Sequence, residues 1–307
     1  MSLFSLITAL LLEHFHPLQQ RLALYQQLGR YAEFLERHFN AGERRHGMIA
    51  WLLVAIPLVG GVAIISAALY QVNPLLAWLW NAAVLYATMG FKYFSDITGH
   101  ISAALRAQDF EKACDYLGRW REQSIAGLEP NEIARLTIEQ SLLWAHRQMF
   151  SVLFWFVLLG PAGAVLYRLA SVLNYKWGEL DQAEAGDFGQ FASRVFGWID
   201  WLPVRLSAIS FAVVGDFEDA MYCWRTQGLA WANHSQGIIL ASGAGALGVK
   251  LGEPLHQGGN LEFRPELGMG DEADADYVQS AVSLIWRALL LWLTVVLLLQ
   301  LGRWVGG

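Results

Sequence analysis

The chain has 307 residues, 55% apolar and only 16% charged, against about 25% charged in an ordinary soluble domain. Its net charge of −6 gives no basis for nucleic-acid binding, which rests on Lys and Arg neutralising phosphates. Cys114 and Cys223 form no CxxC pair and no metal spacing, so they read as small buried side chains rather than ligands.

The first segment, "MSLFSLITALLLEHFHPL", has an apolar run but neither a basic start nor a small-residue cleavage site, so it reads as an inserted or interfacial helix, not a cleaved signal. A bilayer crossing needs about 20 mostly apolar residues. Residues 48–70 meet this without a charge, and residues 74–91 follow after the tight turn Gln71-Val-Asn73. Residues 149–167 form a third span with a Gly-Pro break at 160–161, and residues 284–302 a fourth with Arg287 near its start. Pro57 and Pro161 are tolerable inside packed membrane helices, where neighbours satisfy the freed backbone groups. Residues 201–214, interrupted by Arg205, are too short to span alone and read as a re-entrant or interfacial helix. Tryptophans near the span ends (Trp51, Trp78, Trp80, Trp286, Trp304) fit an aromatic belt.

Between spans, 92–148 reads as helical, with one apolar stripe at Phe110, Ala113/Cys114, Leu117 and Trp120. A second helix starts at Pro130, with Asn131 and Glu132 in its first turn and a stripe at Ile133, Leu136, Gln140 and Leu143/Trp144. Residues 168–283 read as a long polar region, within which 252–276 is a Gly-, Pro- and acid-rich loop. Arg44, Arg45, Lys92, Arg147 and Arg303 near the span ends place the N-terminus, 1–47 and 92–148 in the cytoplasm and 168–283 outside. The fold class is therefore all-α, one polytopic membrane domain over 1–307 with about four transmembrane helices plus short interfacial or re-entrant ones.

One stretch, Gly243-Ala-Gly-Ala-Leu-Gly248, matches GxGxxG. A dinucleotide loop needs a strand before it and a helix after it. Only Ile238-Ile-Leu240 precedes it, and Gly252 and Pro254 leave little room for a helix behind. Small residues at Ala241, Gly245, Gly248 and Gly252 fit close helix approach better.

The same stretch, "AGALGVKLGEP", resembles the AGALGxxLGGP segment of the adenosylcobinamide-phosphate synthase family, CobD/CbiB. Four further segments match in order: the His16-Pro17-led entry with Gly29-Arg30, "GPAGAVLYRLASVLNYKWG", "WLPVRLSA" and "WANHSQG". The resemblance implies a membrane enzyme that joins an amino-alcohol phosphate to a corrinoid carboxylate at the expense of ATP with Mg²⁺. Several of the family's acids are missing. Glu13 is the only acid in "LLLEHFHPL", "WAHRQMFS" replaces Glu-Asn-Thr-x-Asp-Gly, Ser171-Val-Leu-Asn174 replaces Asn-Thr-Leu-Asp, and Phe196-Gly197 replace paired acids, leaving Asp200 beyond them. In those places the chain is similar to AmpE, the regulatory branch of the superfamily.

Loss of the groups that would hold Mg²⁺ implies a non-catalytic or repurposed member, an AmpE-like regulator, sensor or complex subunit. The working synthase is the alternative, with Mg²⁺ and ATP needed only there and no cofactor or metal otherwise. The expected residual cleft, for a corrinoid or small anionic ligand, comprises Arg168, Asn174, Asp200, Arg205, Asn233, His234, Ser235, Gly245 and Gly248. Arg205 in an apolar helix marks either a functional position or a snorkelling arginine, with Asp200 in reach as a partner. His234 either contacts the ligand or caps a turn, and His14 and His16 are spaced wrongly for a metal site on one helix face. The partners implied are the lipid bilayer and either a second membrane protein or another copy of the chain.

Overall fold

The computed structural model describes residues 2–15, 21–40, 44–90, 92–122, 125, 127–178, 187–257 and 260–305. His16 and Pro17 lie outside these. In chain order the described residues form α1 (Ser2–Phe15), α2 (Arg21–Phe39), α3 (Arg44–Val72), α4 (Pro74–Thr88), α5 (Lys92–Arg106), α6 (Phe110–Arg121) and α7 (Pro130–Ala145). Then follow α8 (Ser151–Leu159), α9 (Pro161–Leu173), α10 (Gln190–Val214), α11 (Phe217–Gln227), α12 (His234–Leu247) and α13 (Ala275–Val305). π-helical turns follow α7 (His146–Phe150) and α9 (Asn174–Gly178). Four short strands lie between α12 and α13: β1 (Leu251–Gly252), β2 (Leu255–Gln257), β3 (Asn260–Glu262) and β4 (Glu266–Leu267). They pair antiparallel as β1 with β4 and β2 with β3, so the 252–276 segment is not the unstructured loop its composition implies.

The protein is an all-α polytopic membrane protein. Among the described residues, five stretches are long and apolar enough to cross a membrane by length and composition: Arg44–Val72, Pro74–Arg106, Pro130–Leu159, Gln190–Val214 and Ala275–Gly302. The expected span over 149–167 is corrected. Gly160 takes φ +68 and Pro161 starts a new helix, so the apolar run breaks in two. A Cβ on Gly163 would overlap the Trp155 backbone, so α9 turns back close against α8. The stretch long enough to cross runs instead from Pro130 through the π-turn to Leu159. Residues 201–214 are likewise not a short inserted piece. They are the second half of the 25-residue α10, whose first half hydropathy alone misses because it carries Arg194 and Asp200.

The predicted starts follow their local chemistry. Asn73 is extended (φ −159), its side chain accepts from Leu75 N at 2.8 Å, and Pro74 occupies the first turn of α4, where its missing N–H costs nothing. Pro130 opens α7, and Glu132 reaches back to the Glu129 backbone N–H at 2.9 Å.

The chain divides into two compact units. The first comprises Met1–Gly90 and Ser151–Leu202. Its core joins Ala32 and Leu35 of α2, Trp51 and Val54 of α3, and Leu169 and Leu173 of α9, each large apolar side chain contributing about 1.5–3 kcal/mol by leaving water. Trp177 donates from Nε1 to Ala32 O at 3.3 Å, and Lys176 bonds Glu33 at 2.6 Å. That hydrogen bond and the ammonium charge hold the Glu33 carboxyl below its ordinary range.

The second unit comprises Phe91–Phe150 and Pro203–Gly307. Phe150 stacks on Trp292 (5.7 Å, 17°) and meets Phe211 edge-on (5.8 Å, 72°), while Trp292 Nε1 donates to Ser210 Oγ at 2.8 Å. On α6, Ala113, Cys114, Leu117 and Trp120 are buried as their spacing predicts, while Phe110 is exposed. Burial also pushes the thiols of Cys114 and Cys223 up, as expected of inert core cysteines. Helix α7 is not a one-striped helix: every residue from Glu132 to Glu139 is buried, two carboxylates and an arginine included.

Candidate functional site

The glycine stretch lies inside and at the end of a helix, the reverse of a dinucleotide loop. Ile238-Ile-Leu240 are helical, and α12 continues through Gly243 and Gly245 before Gly248 closes it at φ +67. No helix follows; the chain passes into β1. The glycines have packing reasons. A Cβ on Gly245 would lie 2.5 Å from Asp219 O and 2.8 Å from Ala220 Cα of α11. Asp216 N donates to Ala246 O at 3.1 Å, and Ser242 Oγ donates to Ala208 O of α10 at 2.8 Å. Small residues here let three backbones approach.

Beyond Gly248 the family-like segment is held by charged side chains that sequence reasoning missed. Glu139 of α7 is buried. One carboxylate oxygen accepts from Gly252 N at 2.9 Å, and the other accepts from Arg264 Nη2. Arg264, also buried, lies over the Trp231 ring at 5.0 Å from its centroid. One helical turn before Glu139, Arg135 binds Glu253 through Nη1 and Pro254 O through Nη2, the latter at 3.3 Å. Gln227 of α11 clamps the other strand: its Nε2 donates to Gly268 O at 3.1 Å and its Oε1 accepts from Gly268 N at 2.6 Å. The β1–β4 ribbon is therefore fixed between α7 and α11. The available signal was the pair Arg135 and Glu139, opposite charges four apart in an apolar helix, which reads more readily as a solvated i,i+4 pair. Their partners lie more than a hundred positions away in sequence, and no local pattern reveals that.

The anticipated cleft residues are distributed differently. In the first unit, Asp200 is buried and accepts from Tyr167 Oη at 2.9 Å; Arg168 is buried beside that tyrosine in sequence, and Asn174 caps α9. Glu13 is buried in α1. In the second unit, Arg205 is half-buried on α10, and Arg287 is exposed, its Nε donating to Ser283 O at 3.4 Å. Asn233 is the N-cap of α12, accepting from Gln236 N at 3.2 Å, so the capping role falls to it and not to the exposed His234 that follows. Asn233, His234 and Ser235 stand at one end of α12 and Gly248 at the other, about 20 Å apart at 1.5 Å per residue. Among the described residues no group of three or more His, Cys, Asp or Glu is placed to hold a metal ion.

One expectation about sides is corrected. Arg135 and Glu139, from the segment assigned to the cytoplasm, bond Glu253, Gly252 and Arg264, from the region assigned outside. Arg106 also pairs with Asp276 at 2.9 Å, and Ser102 Oγ donates to Ala275 O at 3.3 Å. Groups in direct contact share a side or a depth. The earlier division failed because 168–283 is not one loop: α10 lies within it.

A family model described as "CobD/Cbib protein" matches residues 6–285. A "Cobalamin biosynthesis protein CobD" of Stutzerimonas stutzeri is 34% identical over 310 residues, 99% of each chain. Proteins of the same printed name from Chromobacterium violaceum (35% over 219 residues, 71% of this chain and 70% of that one) and Mycobacterium tuberculosis (26% over 253 residues, 78% of each) are also similar. No solved structure matches the chain.

Proposed function

The chain belongs to the CobD/CbiB family, and from that premise we propose that it works in cobalamin biosynthesis, joining an amino-alcohol phosphate to a corrinoid carboxylate as an ATP-dependent amide-forming ligase. The observation that carries this reading is similarity along the full length of a relative whose printed name is a cobalamin-biosynthesis protein. The regulatory, AmpE-like reading has no such support, and none of the three relatives cited above carries a regulatory name.

Growth on cobyric acid of a strain lacking its own synthase is the test. The chain is expected to restore growth. Failure to do so, with the protein folded in the membrane, would return the reading to a non-catalytic member.

The N-terminus and the connection between the crossing stretches that end at Arg106 and start at Pro130 are cytoplasmic in this proposal, on the strength of Arg106, Lys112, Arg119 and Arg121. The contacts above then bring 248–276 to the cytoplasm as well, where ATP is available. A reporter that is active only in the cytoplasm, fused within 255–270, is expected to be active. A fusion active only outside would refute the orientation. A corrinoid ligand and the inner bacterial membrane belong to the same proposal.

A further inference from the structure

Three non-glycine residues among those described have positive φ: Gln108, Glu122 and Glu253. Gln108 follows the end of α5 and Glu122 caps α6, ordinary places for a left-handed residue. Glu253 (φ +59) ends no helix. It follows Gly252, itself at φ +75, and precedes Pro254. A side chain there is strained where glycine would not be. Such strain persists where the surroundings impose it and clusters at functional sites. Here the surroundings are explicit: Glu253 N donates to Pro265 O at 3.3 Å, and one carboxylate oxygen is held by buried Arg135. The other oxygen, Oε1, takes no hydrogen bond among the described residues, and the side chain is 35% exposed.

We propose that Glu253 is a substrate-binding residue whose open carboxylate oxygen receives the N–H group of a small primary amine. This rests on the function proposed above, in which an amino-alcohol phosphate is the nucleophile. A bare carboxylate would repel the phosphate end of such a molecule. Arg135 neutralises Glu253, as Arg264 neutralises Glu139, so the four-residue group offers a fixed acceptor without net negative charge. Trp231 borders the same turn, its Cζ3 3.3 Å from where a Cβ on Gly252 would lie.

The test is calorimetric titration of the full-length protein in detergent with ethanolamine phosphate and with ethyl phosphate, which lacks the amine. The wild type is expected to prefer ethanolamine phosphate by about tenfold or more, the size of one hydrogen bond to a charged group. Glu253→Gln, which keeps an oxygen for Arg135 and presents an amide NH₂ in place of the open oxygen, is expected to lose that preference while remaining folded. Retained preference in folded Glu253→Gln, or no preference in the wild type, would each overturn the proposal. Growth complementation separates the two readings: a wild type that fails sinks the ligase, whereas a wild type and a Glu253→Gln variant that grow alike sink only the role of Glu253.

Discussion

Replacing Glu139 with leucine is expected to destabilise the second unit by about 3–5 kcal/mol, the usual cost of leaving a buried charge without its partner. Arg264 would remain buried over Trp231 with its countercharge gone, and the Gly252 N–H would lose its acceptor. Arg264→Met alone is expected to cost a similar amount for the mirror-image reason, leaving a carboxylate buried with one amide for company. The double variant, Glu139→Leu with Arg264→Met, is expected to be more stable than either single one, since removing both charges leaves only the unpaired Gly252 amide, worth about 1–3 kcal/mol. Thermal unfolding of the four proteins in one detergent closes the cycle. Additive losses would mean that the pair is not coupled. If coupling is found, growth complementation by the double variant asks whether the charges do more than fix β1, because it restores packing without restoring the site.

The membrane class and most of the crossing stretches were legible in the sequence, since apolar runs such as 48–70 depend on composition alone. Helix starts at Asn73-Pro74 and Pro130 were legible too, because caps act over three or four residues. What failed did so for reasons of range. Asp200 was placed in a ligand cleft with Arg205 in reach, and it accepts from Tyr167, a contact invisible to any window around it. Arg135 and Glu139 bond partners 113 to 125 positions away, which no local pattern reveals. The side assignment failed with them, because charge counting over 168–283 treated as one loop a region that contains α10. Of the candidate site, the family segment at 241–254 was readable as a string of letters. Its neighbours were not, and they hold Glu253 in its strained turn.

Three glycines of that segment carry different burdens, and this yields the second large effect. Gly245→Leu is expected to cost about 3 kcal/mol or more by overpacking, because what its side chain would meet is backbone: Asp219 O at 2.5 Å, Asp219 C at 2.7 Å and Ala220 Cα at 2.8 Å. Helix α11 would have to move away from α12, and Gln227, at the end of α11, would lose its grip on Gly268. Gly248→Ala meets open space but must hold φ +67, so about 1–2 kcal/mol is expected from the left-handed backbone alone. At Gly243 a Cβ meets only methyl groups of Leu142, 2.5 and 3.0 Å away, which a rotamer change relieves. Alanine there also gains about 1 kcal/mol of helix propensity, so Gly243→Ala should fall near neutral. The order Gly245→Leu, Gly248→Ala, Gly243→Ala, read as falling cost in thermal unfolding, is the signature of glycines that serve helix approach and chain reversal. If Gly245→Leu melted with the wild type while failing to restore growth on cobyric acid, the glycine would instead be making room for a ligand, and the close packing of α11 on α12 would not be what the segment is for.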